Sequence, residues 1–143
     1  MKNFIIILCA FLLIGCSRND NLNNCNFLLD VGVNINVNLN LPQFSQLQNT
    51  GNSVRINGQG NAGIIVTRVN SSTIRAWDGA DPNHPVSGCS TLTIDGVNAV
   101  CGCDDANVYN LLTGQSLGEN QQPCTLRAYR VDAVGNNQFL VTN

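Results

Sequence analysis

Charge is scarce in this chain: of 143 residues, 11% are Asp, Glu, Lys or Arg. Lysine occurs only as Lys2, and the remaining strong bases are Arg18, Arg55, Arg68, Arg75, Arg127 and Arg130. Each shortage narrows what the protein does. Neutralising a run of phosphates takes clustered Lys and Arg, and no cluster exists, so nucleic acid is not an expected partner. His84 is the sole histidine and Glu119 the sole glutamate. A serine triad needs a histidine base with an orienting acid, and His84 sits instead in a turn context between Asn83 and Pro85. Paired carboxylates for glycoside hydrolysis would have to come almost entirely from aspartates. No catalytic set is legible, which leaves a non-enzymatic role as the expectation. An envelope enzyme with a site that the sequence hides is a further class.

What is present begins at the first residue. Met1-Lys2-Asn3 carries one positive charge, and the uncharged run Phe4 to Ile14 follows. That run is too short to span a bilayer, which takes ~20 apolar residues, and it has the length of a signal-peptide core. It ends Leu13-Ile14-Gly15-Cys16, then turns polar at Ser17-Arg18-Asn19-Asp20. This resembles the bacterial lipobox. The resemblance implies a lipoprotein signal peptide at 1–15, diacylglycerol on the Cys16 thiol, and cleavage just before it. Stable anchoring takes two or more acyl chains, and a lipidated cysteine terminus supplies them. The expected protein is lipid-anchored to a bacterial membrane, with its domain in the periplasm or on the cell surface.

Seven cysteines occur. Cys9 would leave with the signal peptide and Cys16 would take the lipid. Cys25, Cys89, Cys101, Cys103 and Cys124 then remain, in a compartment where disulfides persist. Their number is odd, so at least one thiol stays unpaired, binds something, or pairs between chains.

Residues 16–26 read as the lipidated cysteine and a flexible polar tether, and 27–143 as one β domain. The clearest periodicity is Val31, Val33, Ile35, Val37, Leu39 and Leu41, with asparagines between most of them. Alternation with β-branched residues predicts a strand with one buried and one wet face. Pro42 closes it. Further strands are predicted over 53–56, 63–69, 73–77, 90–94, 98–101, 126–131 and 138–141. Asn57-Gly58, Asp78-Gly79, Asp95-Gly96, Thr113-Gly114 and Gly135-Asn136 supply turns between them. No stretch has helical period. Short strands at this spacing predict an all-β sandwich or barrel. Trp77 reads as core, and Tyr109 and Tyr129 as packing residues with a wet hydroxyl.

The segment 80–131 carries an ordered set of motifs. Asp81-Pro82-Asn83-His84-Pro85 comes first, then Gly88-Cys89-Ser90-Thr91-Leu92, then Cys101-Gly102-Cys103-Asp104. Tyr109, the turn Thr113-Gly114 and the strand Leu126 to Val131 follow. This order resembles a Rieske [2Fe-2S] domain, and the resemblance covers about the second half of the chain. It implies a small antiparallel all-β fold with two cluster loops at its tips. Cys101 matches the second-loop cysteine, and Asp104 stands where that loop's histidine should be. His84 matches the first-loop histidine, which puts Pro82 in place of the cysteine. A Rieske centre takes two thiolates and two imidazoles, so the resemblance implies a degenerate site at His84, Cys101 and Asp104, with no cofactor expected. An altered [2Fe-2S] cluster, with Asp104 or Cys89 as substitute ligand, is the alternative. The resemblance also implies a disulfide between Cys89 and Cys103, the cysteines that tie the loops in some members of that family.

Simpler readings stand beside it. Cys101-x-Cys103 lacks the spacing and following helix of a redox pair. His84, Cys101, Cys103 and Asp104 are ligand types that suit zinc, and Asp104-Asp105 suits weak calcium binding or a solvated turn. The functional expectation is an accessory or binding lipoprotein with an envelope protein partner. Its anchor is directly testable. Cys16→Ser should leave the precursor uncleaved and without label from radioactive fatty acid. A substituted protein that still takes up label and matures to the same mass would remove the lipobox reading.

Overall fold

In the computed structural model, residues 25–119 and 121–143 are described. The expected signal peptide, Cys16 and most of the tether lie outside them. The described chain forms ten strands: β1 (Asn34–Asn38), β2 (Ser53–Ile56), β3 (Ile64–Arg68), β4 (Ile74–Asp78), β5 (Leu92–Asp95), β6 (Asn98–Cys101), β7 (Val108–Asn110), β8 (Ser116–Leu117), β9 (Ala128–Gly135) and β10 (Gln138–Thr142). A 3-10 helix, Pro42–Gln48, lies between β1 and β2. Proline at its start is favourable, because the missing N–H would have no partner there. Phe44 and Leu47 bury its inner side.

Two antiparallel sheets result. The larger runs β1-β10-β9-β4-β3-β2 and the smaller β5-β6-β7-β8. The alternation of β1 holds. Val33, Val37 and Leu39 are buried while Asn34 and Asn36 face water. The paired portion is shorter than the alternating run, because β10 offers partners only from Asn34 to Asn38.

β3 breaks the alternation that half-buried strands show, with Ile64, Ile65 and Val66 all fully buried. The larger sheet is covered on both faces. Ile64 and Val66 pack into one apolar cluster with Val37, Leu47, Ala76, Tyr129 and Val141. Ile65 joins the other, with Trp77, Leu92, Ala99, Tyr109, Leu111 and Leu126, between the two sheets. Trp77 is core as expected, and its indole N–H donates to Leu111 O at 2.8 Å. The Thr113-Gly114 turn lies against that ring. A Cβ on Gly114, whose φ is +80°, would stand 2.7 Å from Trp77 Cη2.

The strands absent from the sequence reading are β7 and β8, of three and two residues. Neither is long enough to display a period.

Cys25 is disulfide-bonded to Cys124, with Cα atoms 5.6 Å apart. The tether expected to run to Asn26 is therefore fixed to the fold from Cys25 on. The bond spans 99 residues of sequence, and closing so long a loop restricts the unfolded chain strongly. Cys25→Ser/Cys124→Ser should lower stability by about 2–5 kcal/mol, read from urea midpoints with Cys89–Cys103 intact. A change within about 0.5 kcal/mol would show that the link adds little.

Candidate functional site

Two loops meet at one end of the smaller sheet. The first, residues 79–91, joins β4 to β5. The second, residues 102–107, joins β6 to β7. Cys101 closes β6 opposite Leu92, and its amide donates to Asn107 O at 2.8 Å. The amide of Gly102 donates to Cys89 O at 2.9 Å, which brings the loops into backbone contact. Glycine eases that approach, since a Cβ there would lie 3.0 Å from the same carbonyl oxygen. One residue further on, Cys103 is disulfide-bonded to Cys89, with Cα atoms 4.7 Å apart.

At this staple His84, Cys101 and Cys103 come together. One ligand atom from each falls within 4.8 Å of the others. His84 Nε2–H donates to Asp105 Oδ2 at 2.6 Å, and Asp81 Oδ2 lies 4.0 Å from the same nitrogen. Cys101 is the free cysteine among the described residues and is 2% exposed. Its Sγ receives the Cys103 amide at 3.5 Å and faces Cys89 O at 3.6 Å. An open depression of about 400 Å³ lies over the loops, lined by His84, Cys89, Gly102, Cys103, Asp104 and Asp105.

Beneath them is a buried polar network that the sequence reading missed. Asp81 is fully buried. It accepts from the Tyr109 hydroxyl at 2.5 Å, the Asn107 side-chain amide at 3.0 Å and the Asn83 backbone amide at 2.8 Å. The Tyr109 hydroxyl is therefore dry, and so is that of Tyr129, which donates to Asp78 Oδ2 at 2.6 Å. Both corrections share one cause: each tyrosine has a buried carboxylate to satisfy. Burial, with the neighbouring carboxylate added, pushes both phenols well above their usual range.

The sequence-derived residues now fall into two groups. His84, Cys89, Cys101 and Cys103 come together. Asp104 does not: it is exposed and outside the group of converging donors. Asp105, its neighbour, is the carboxylate that engages His84. Pro82 is buried and offers no donor atom. A Rieske centre, with two thiolates and two imidazoles, does not fit this set. The chain has one imidazole, and the Cys103 sulfur is committed to Cys89.

Nor does the arrangement make an activated thiol. Cys101, His84 and Asp105 have the residue types of a nucleophile, base and orienting acid. An activated cysteine has a depressed pKa and access to substrate. Burial raises the Cys101 thiol from 9.0 to about 11, Asp81 and Asp105 add to the rise, and the Cys103 amide opposes it.

No family model matches the chain, and no curated protein does. Solved structures similar to it include the following two. One is the ferredoxin of carbazole 1,9a-dioxygenase from Nocardioides aromaticivorans IC177, at 16% identity and a TM-score of 0.40, over 65% of this chain and 86% of that one. The other is described as a nitrite reductase NADPH small-subunit oxidoreductase, at 18% identity and a TM-score of 0.39, over 76% of this chain and 97% of that one. The fold is all-β, built of two antiparallel sheets; likenesses of this extent carry neither family nor chemistry to this chain.

The raised thiol has a consequence for stability. Below about pH 9 Cys101 holds its proton both folded and unfolded. Between 9.0 and about 11 only the unfolded chain releases it, so unfolding is favoured as pH rises. Urea midpoints measured across this window should fall less steeply in Cys101→Ala than in the parent. Parallel curves would show that the thiol contributes nothing to the alkaline loss.

Proposed function

We propose that the protein is a membrane-anchored, non-catalytic accessory lipoprotein of the bacterial cell envelope, whose Rieske-like domain carries no iron–sulfur cluster and presents its stapled loops to an envelope partner. The observation that carries the reading is the state of the donors at the loop tips. Cys103 is bonded to Cys89, His84 to Asp105, and Cys101 is a buried neutral thiol. The anchor rests on Leu13-Ile14-Gly15-Cys16.

The alternative is an electron-transfer protein with an altered [2Fe-2S] cluster. The convergence of His84, Cys101 and Cys103 within 4.8 Å favours it. That reading breaks the staple, and it needs Asp104 or Cys89 as a further ligand. Carboxylate is a hard donor that suits iron held by thiolate and imidazole poorly.

Iron and acid-labile sulfide analysis separates the two, together with EPR of the reduced protein. Protein produced anaerobically with iron and sulfide supplied should contain neither in stoichiometric amount. Near-stoichiometric iron with charge-transfer absorption, lost in Cys101→Ala, would replace the accessory reading by electron transfer.

A further inference from the structure

The residues that fail to make a cluster site make a different one when the staple opens. Reducing Cys89–Cys103 adds two thiols beside the Cys101 thiol and the His84 imidazole. We propose that this loop pair is a redox-gated site for a single thiolate-binding cation of the Zn²⁺ class, closed by the Cys89–Cys103 disulfide and formed by Cys89, Cys101, Cys103 and His84 on its reduction.

Geometry carries the proposal. Three donors already lie within 4.8 Å of one another. The fourth, Cys89 Sγ, is bonded to one of them. Donors on a tetrahedral zinc ion stand roughly 3.3–3.8 Å apart, given bonds of about 2.0–2.3 Å. The contraction needed is at most about 1–1.5 Å, within the reach of side-chain rotation. Two features of the surroundings fit a metal site. Asp105 holds the His84 ring through Nε2 at 2.6 Å. This is the carboxylate–histidine support that metal-bound imidazoles commonly have. The Cys103 amide points at Cys101 Sγ at 3.5 Å, and such a donor favours a thiolate. Cys89 is exposed on the depression over the loops, so an external thiolate can reach the disulfide.

The chemistry balances with a dithiol reductant. Its first thiolate attacks the disulfide and forms a mixed disulfide. Its second thiol then displaces the remaining cysteine, so the reductant leaves oxidised and Cys89 and Cys103 each gain a proton and an electron. Binding of Zn²⁺ to three cysteine sulfurs and one neutral imidazole releases the three thiol protons.

The proposal rests on the reading that the site holds no cluster. The test uses the purified full chain, with Co²⁺ as optical probe and Zn²⁺ as competitor. After anaerobic treatment with a phosphine reductant, the protein should bind one Co²⁺ with thiolate charge-transfer and tetrahedral ligand-field bands, displaced by Zn²⁺. Loss of one supporting group at a metal site alone costs about 10–100-fold in affinity. The disulfide form should therefore bind at least about 100-fold more weakly. Equal affinity in the two redox states, or no binding after reduction, overturns the proposal. Reduction also exposes Cys25–Cys124 to cleavage, so Cys89→Ser gives an independent reading. It frees Cys103 with the long-range disulfide intact and should bind Co²⁺ without reductant. His84→Ala in that background should weaken binding at least about tenfold. If reduced parent loses its far-UV circular dichroism, Cys89→Ser decides, and its failure to bind overturns the proposal. Iron and sulfide in the protein would overturn this proposal and the functional reading together. Absence of metal binding by iron-free protein would overturn this proposal alone.

Discussion

Two buried carboxylates, Asp78 and Asp81, fix the two ends of the crossover between the sheets. Asp78 ends β4 in the larger sheet, and Asp81 opens the loop that leads to the smaller one. Both are fully buried. An uncompensated buried charge costs several kcal/mol, so each needs donors enough to replace its water. Asp78 has the Tyr129 hydroxyl, both Asn61 donors and the Ala80 amide. Asp81 has Tyr109, Asn107 and the Asn83 amide. The first set comes from the larger sheet, its β2–β3 turn and the Ala80 amide of the crossover. The second comes from β7 and both loops of the site. Neither carboxylate is satisfied unless its own half is folded, and the crossover between them is only Gly79-Ala80. A crossover this short, pinned at both ends, keeps the halves close.

That constraint explains which parts of the molecule were legible in its sequence. Apolar periodicity reports burial against a sheet face, so β1, β2, β6 and β10 stand out. The run Ile64-Ile65-Val66 reads as a strand for a different reason: β3 is buried on both sides, and a doubly covered strand is continuously apolar. Hydrogen-bond pairing of a few residues leaves no such signal, and β7 and β8 are that kind of strand. Buried polar networks are less legible still. Asp81 and Tyr109 are 28 positions apart, and nothing local marks them as partners. The signal available was the pairing of a tyrosine with an aspartate in each half of a chain poor in charge.

The site shows the same division. Motif order placed His84, Cys89, Cys101 and Cys103 together, because it reports which loops meet. It did not report which side chain of a loop turns inward. Asp104 and Asp105 are adjacent and chemically alike, and only the turn after Cys103, closed by the Ala106 amide on Cys103 O at 2.9 Å, decides between them. It directs Asp105 to His84 and leaves Asp104 exposed. With a carboxylate already on its Nε2, the imidazole is oriented for a role that Asp104 has no part in.

A loop pair without a metal would still have to be held closed. Residues 102–107 contain little apolar surface to bury, and besides the disulfide they are held by the Gly102 amide on Cys89, the Cys101 amide on Asn107, the Asn107 side chain on Asp81 and the His84–Asp105 contact. A neutral hydrogen bond contributes about 0.5–1.5 kcal/mol net, so polar contacts of this kind give the loop modest stability. A cross-link over a short loop adds about 3 kcal/mol in the chain-entropy account, enough to change an opening equilibrium by about two decades. The Cys89–Cys103 bond therefore does at these tips what coordination does in a metal site: it selects one closed arrangement for both loops. The two devices draw on the same sulfurs and exclude one another, so the oxidation state of one cysteine pair sets whether the tips are closed by a covalent bond or left open to an ion.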